Sequence, residues 1–461
     1  VKRQSKIVGA LTFCGLFFCS YLLATENIQH KKNESLECES VNPEFIYSFR
    51  HYAKFFGCPK TVRGSFFKRS YIFNSLNGFR DRFYDEGIYL DASVNQFFGV
   101  NHSGGEKHGF MRANGSTEYW LIFDLCKIGM WSNGVFMLHA KTTWLADESI
   151  VEDVGAIAAA NIDPKTPVSG TSTTALSEVA LAQKISDYFS FRIGKLDATG
   201  PFDSNEFANS SRHQFIYSGL SNNPIVITFL PHTLLSIIPK IKLGDRHTIL
   251  FLAGDADGSA DESGFSTLFD GSSVYCVQYQ FSPIIQGAPG NYRVIGCYST
   301  KPIMSYAIDS RHVLGKKITD ITIPDECNNY AWLFSLDQYF CKKENGEGVG
   351  IFARAGWAPD DRNVIDRFYS IGFGGHGMIF KNRPHDEWGI GYAATHISYD
   401  LRQDLKELDI DFNSYEHAVE IFYNIELSPA IHWTIHAQVI QTPLVSRQTA
   451  FAVTSRIRID F

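Results

Sequence analysis

Asp255, Asp257, Ser259 and Asp261 place four oxygen donors at two-residue spacing, the opening of a calcium loop. Such a loop closes on a bidentate Glu at its twelfth position. Ser266 stands there instead, and Asp257–Gly258 reads as a turn. His432 and His436 lie four apart, which in a strand separates them by about 13–14 Å, too far to share a metal. Neither a local Ser/Cys–His pairing nor a zinc-spaced Cys/His cluster is present. The expectation is therefore no catalytic residue, no metal and no cofactor. What remains is a set of charged and amide side chains at alternate positions: Arg192, Arg354, Glu420, Glu426, Gln438, Arg456, Arg458 and Asp460. The chemistry open to such rows is weak, reversible contact with a polar solute. They would serve equally as a salt-bridge ladder that stiffens a wall.

The elements that carry those rows are strands. Val419, Ile421, Tyr423, Ile425 and Leu427 alternate with Glu420, Phe422, Asn424 and Glu426. After Ser428–Pro429, Ile431, Trp433, Ile435, Ala437 and Val439 alternate with His432, Thr434, His436 and Gln438. The final run sets Phe451, Val453, Ile457 and Ile459 against Ala452, Thr454, Arg456, Arg458 and Asp460. Similar runs surround Phe136–Lys141, Phe189–Gly194, Tyr275–Phe281 and Trp388–Thr395. Soluble strands usually run about five or six residues. Runs of about 9–11 suit a tilted strand crossing a membrane. Lipid offers no hydrogen bonds, so such a sheet must close on itself. Trp388, Tyr392 and Trp433 fall near strand ends, where amphipathic rings favour the headgroup level. Asp153–Thr174, Gly254–Ser272 and Asp400–Ser414 read as long polar loops.

Composition agrees. The 461 residues are 44% hydrophobic and 14% aromatic, with 37 Gly, and mean hydropathy lies just below zero. An apolar outer wall and a polar inner one cancel in such an average. The net charge of −7 argues against nucleic acid as a partner. Lys2, Arg3 and Lys6 before the apolar Ile7–Leu23 predict a signal peptide over residues 1–24. Subtracting those three cations from 42 leaves 39 basic against 49 acidic residues, a net charge of −10. Cys38, Cys58, Cys126, Cys276, Cys297, Cys327 and Cys341 then remain, an odd number in a compartment that permits disulfides. Cys38–Cys58 and Cys327–Cys341 are the pairs closest in sequence. Residues 25–87 read as an irregular periplasmic segment with a short helix near Asn77–Asp85, and 88–461 as the barrel. Phe461, ending an alternating strand, resembles the signal read by bacterial barrel-assembly machinery.

Several motifs are similar to those of the carbohydrate-selective porin (OprB) family. Gly78–Phe79–Arg80–Asp81 with Gly87–Ile88 resembles its opening element. Ile193–Gly194–Lys195–Leu196–Asp197 and Phe202–Asp203–Ser204–Asn205–Glu206–Phe207 resemble its strand and loop. Asn382–Arg383–Pro384–His385–Asp386 resembles its turn, and Glu420, Tyr423, Pro429, Gln438, Gln441, Pro443, Arg456 and Phe461 follow its closing order. The resemblance implies an all-β transmembrane antiparallel barrel of about 16 strands, a passive, trimeric channel in the outer membrane of a Gram-negative cell. Within the family, the resemblance to the porins of arginine–agmatine exchange implies L-arginine uptake, and a net-acidic lumen suits a cation. A glucose-selective porin, a non-conducting surface barrel or adhesin, and a secreted β-rich enzyme are the alternatives.

Overall fold

The computed structural model describes residues 64–73, 78–145, 149–168, 172–268, 271–304, 325–326 and 328–461. The signal-peptide segment and Cys38, Cys58 and Cys327 lie outside them. Sixteen antiparallel strands of 8 to 16 residues form the barrel. They are β1 (Ile88–Ser103), β2 (Met111–Asp124), β3 (Gly134–Trp144), β4 (Thr174–Lys184), β5 (Phe189–Leu196), β6 (Leu234–Lys242), β7 (His247–Asp255) and β8 (Ser273–Phe281). β9 (Ala288–Ser299), β10 (Asn329–Lys342), β11 (Gly348–Trp357), β12 (Ile365–His376), β13 (Glu387–Ile397), β14 (Tyr415–Ser428), β15 (Ile431–Gln441) and β16 (Ala450–Asp460) follow.

Each strand pairs with its sequence neighbours, and β1 pairs with β16 from Ser93↔Asp460 to Ser103↔Phe451, so the sheet closes. No edge is left for lipid to meet. A helix, α1 (Phe79–Asp85), precedes β1. The seam is fastened at this end: Ile72 N donates to Asp460 O at 2.8 Å, and Arg80 Nη2 to Phe461 O at 2.8 Å. Phe73 packs on Phe461 at 5.6 Å between ring centres.

Alternation divides the wall as the two solvents demand. On β14, Val419, Ile421 and Leu427 are exposed on the outer face, while Glu416, Glu420 and Asn424 are buried inside. At strand ends, Trp388 Nε1 donates to Gly377 O and Trp433 Nε1 to Ser455 Oγ, both at 2.9 Å. Cys276 on β8 and Cys297 on β9 are register partners joined by a disulfide, and Cys341 is an exposed free thiol.

Two long connections do not stay outside. The β3–β4 link carries α2 (Ile150–Val154), and the β5–β6 link carries α3 (Thr199–Phe202), α4 (Ser218–Ser221) and α5 (Pro224–Phe229). Their apolar residues, including Phe202, Phe207, Phe215, Leu220 and Ile225, are buried in one cluster with wall residues such as Phe352 and Phe422. Inward glycines make room for them. A Cβ on Gly374 would lie 2.7 Å from Phe207 Cβ, and one on Gly389 would lie 2.8 Å from Phe215 Cζ.

Candidate functional site

Most inward wall charges hold the inserted segments rather than face open water. Glu416 accepts from the backbone amides of Ile157 (2.7 Å) and Ala158 (3.0 Å), and from Tyr217 Oη (2.8 Å). Two rungs down β14, Glu420 accepts from the amides of Ile216 (2.9 Å) and Tyr217 (2.8 Å), and from Gln438 Nε2 (3.0 Å). His436 Nδ1 is 2.8 Å from the same carboxylate. Gln438 also donates to Ala160 O at 2.9 Å. Arg456 donates to the carbonyls of Ser211 and Gln214 and to Thr434 Oγ1. Arg354 Nε donates to Asp203 at 2.8 Å, and its Nη atoms donate to the carbonyls of Ala208 and Leu220. Burial still pushes the Asp203 carboxyl above its usual range, against the pull of Arg354.

The remaining sequence candidates sit lower or apart. Arg458 forks onto Asp460 (3.0 and 2.8 Å) and contacts His213. Arg192 is buried on β5, with Nη2 3.6 Å from Met137 Sδ. Glu426 is partly exposed at the end of β14, where its amide donates to Asp386 Oδ1 at 3.0 Å. His432 and His436 both face inward, but only His436 reaches the Glu420 cluster. At the calcium-like run, Asp255 accepts from Asp257 N (2.9 Å) and Thr267 Oγ1, and Asp257 pairs with Lys301 at 3.0 Å. Among the described residues no cluster suits a metal ion.

The inserted segments also meet β2–β4, and a polar cavity lies at that contact. The cavity, of about 120 Å³, is lined by Glu118, His139, Lys141, Ser177, Arg212 and His232, with further hydroxyl and amide side chains. Arg212, from the longer inserted segment, crosses to the wall: Nη1 donates to Glu118 Oε2 at 2.7 Å and Nη2 to Ser93 Oγ. His139 lies 3.3 Å from both Glu118 and Glu178 and stacks on Trp120 at 3.6 Å between ring centres. Lys141 Nζ donates to Asp163 O at 2.8 Å. Burial holds the His232 ring below its usual value; Asp197 opposes this and Lys141 adds to it. None of Glu118, His139, Lys141 or Arg212 was among the sequence candidates. His139 and Lys141 stood on the polar face of a recognised strand, a signal that could have found them.

The comparisons decide the family. The model of the "Carbohydrate-selective porin, OprB family" matches residues 112–461. This chain belongs to that family. It is an outer-membrane, multi-pass β-barrel porin, a channel protein rather than an enzyme. Its fold is similar to the high-pH structure of Pseudomonas putida OprB (TM-score 0.73, 19% identity, 86% of this chain and 100% of that one). The low-pH structure of that protein gives a TM-score of 0.53 at 15% identity, covering 86% and 99%. An uncharacterised protein of Aquifex aeolicus is 26% identical over 247 residues, 54% of this chain and 58% of that relative, so the match spans little more than half of it.

Proposed function

We propose that this porin passes small, neutral, hydroxyl-rich solutes, with sugars as the substrate class, between the inserted segments and the β2–β4 wall. The supporting observation is the cavity lining. Thr166, Thr199, Asn209, Ser210, Ser211 and Asn222 offer hydroxyls and amides, while Glu118 is already bonded to Arg212. A polyol can exchange hydrogen bonds along such a surface without displacing an ion pair. Weak contacts at several sites are what conduction requires. The family's description as carbohydrate-selective supports the same class.

L-Arginine uptake in an arginine–agmatine exchange is the second reading. The net charge of −7 supports it, because a negative lumen concentrates cations. It ranks second because an arginine at Glu118 has to compete with the protein's own guanidinium. A homotrimeric state, an N-terminal periplasmic segment and assembly through Phe461 belong to the same proposal.

Planar-bilayer recording of refolded protein tests conduction, and absence of channels would mean a non-conducting barrel. Liposome entry then compares glucose, L-arginine and glutamate. Glucose is expected to enter fastest; arginine outrunning an uncharged solute of equal size reverses the assignment.

A further inference from the structure

Two carboxylates, Glu118 and Asp197, and two permanent cations, Lys141 and Arg212, line the cavity between the inserted segments and β2–β4. Formal charge on the lining therefore cancels, and its sign falls to three imidazoles, His139, His213 and His232. Two further carboxylates stand behind the lining and are engaged there. Asp163 is held by Ser116 and Lys141, and Glu178 by the Asp197 amide and His139. Imidazole is the side chain whose charge ordinarily changes between about pH 5 and 8.

The three rings are not equivalent. His139 has a carboxylate 3.3 Å from each ring nitrogen, Glu118 on one side and Glu178 on the other, so any charge it carries is matched at once. His213 lies against a guanidinium, with Arg458 Nη1 2.7 Å from its Nδ1, and its ring faces that of His432. His232, at the end of the longer inserted segment just before β6, makes no hydrogen bond to another described residue. Burial holds its ring below the usual value, Asp197 opposes this and Lys141 adds to it. The other charges on that side, Glu118, His139 and Arg212, already face one another. Beside His232, Thr233 is 1% exposed and lines the same cavity, and its Oγ1 has no partner among the described residues.

We propose that His232 sets the charge preference of the passage: neutral sugars pass at neutral pH, and sugars carrying a carboxylate are drawn in when the medium turns acid. The proposal rests on the route assigned under the proposed function. A protonated His232 adds one positive charge to a balanced lining, with the Thr233 hydroxyl next to it as a donor. A hydroxyl-rich carboxylate keeps the hydrogen-bond exchange open to a neutral sugar and gains one ionic contact. Low-dielectric walls focus the field of that single charge along the passage.

Liposome entry of glucose and of glucuronate, whose carboxyl stays ionised, tests this at about pH 7.5 and about pH 5.5. The glucuronate-to-glucose ratio should rise about threefold on acidification. His232→Gln should abolish the rise, and His232→Lys should give the raised ratio at both pH values. Heat-dependent gel migration confirms that each barrel is folded. A wild-type ratio that does not move with pH overturns the proposal, as does a rise that survives in His232→Gln. Asn209→Trp, which crowds the same cavity, should slow both solutes at either pH. Unslowed entry overturns the route and this inference together. Slowed entry with a pH-independent wild-type ratio overturns this inference alone.

Discussion

Arg212 and Glu118 meet at 2.7 Å and join the longer inserted segment to the opposite wall of the barrel. Both side chains are almost fully buried, at 5% and 8% exposure, so the pair is little screened. Both residues line the polar cavity between insert and wall, so on the proposed route the bridge would set how wide and how charged the passage is.

Arg212→Ala removes the crossing group and one positive charge. Single-channel conductance should rise, roughly twofold, and reversal potentials in a salt gradient should shift toward cation preference. Arg212→Lys keeps the charge without the fork and should fall between the two. Unchanged conductance in Arg212→Ala would show that solute passes elsewhere.

Glu420→Ala leaves the Ile216 and Tyr217 amides without their acceptor inside a nearly closed space. Losing charge-assisted bonds to buried partners costs roughly 1–3 kcal/mol. Because the barrel ladder itself is untouched, the loss should fall on the segment between β5 and β6. Protease cleavage within residues 197–233 should accelerate while heat-dependent gel migration of the barrel stays normal.

The turn between β12 and β13 supplies a pH dependence. Arg383 forks onto Asp386 at 2.8 and 2.7 Å, and Tyr423 Oη and the Glu426 amide bond the same carboxylate. Burial alone pushes that carboxyl up, but these donors outweigh it and hold it below its ordinary value. A depressed carboxyl contributes stability that is fully present above its unfolded value of about 3.9 and is lost as pH falls through the lower folded value. Thermal stability of the wild type should therefore drop below about pH 4, and Asp386→Asn should flatten that limb.

Cys276 and Cys297 close a loop of 21 residues between adjacent strands. Chain entropy assigns such a cross-link about 3 kcal/mol. Denaturant unfolding of Cys276→Ser/Cys297→Ser should show a loss of that order or smaller, since the hairpin is also held by its ladder. A gain in stability would count against any structural role.

The wall was legible because its two faces meet opposite solvents. Val419, Ile421 and Leu427 had to be apolar and Glu420 had to be otherwise, so β14–β16 could be read residue by residue. The same rule does not say what an inward side chain touches. Glu420 and Arg456 read as groups facing a watery lumen, and each is instead bonded to backbone of a segment far away in the chain. The missing signal was composition between strands: Phe202, Phe207, Phe215, Ile216, Leu220, Ile225 and Phe229 are too apolar for a connection left in water. Glycines on the inner faces of β11–β13 were a second trace of the same insertion. Disulfide pairing escaped because register, not sequence distance, brings Cys276 to Cys297.

The seam that joins the first strand to the last is also the pairing between the most distant strands of the chain. Arg80 and Phe461, 381 positions apart, become neighbours only when the ring shuts. Closing so long a loop is entropically slow, and until it happens two bare strand edges stay open to pairing with other chains. Refolding yield should therefore fall as protein concentration rises, because open edges then meet other chains before the ring closes.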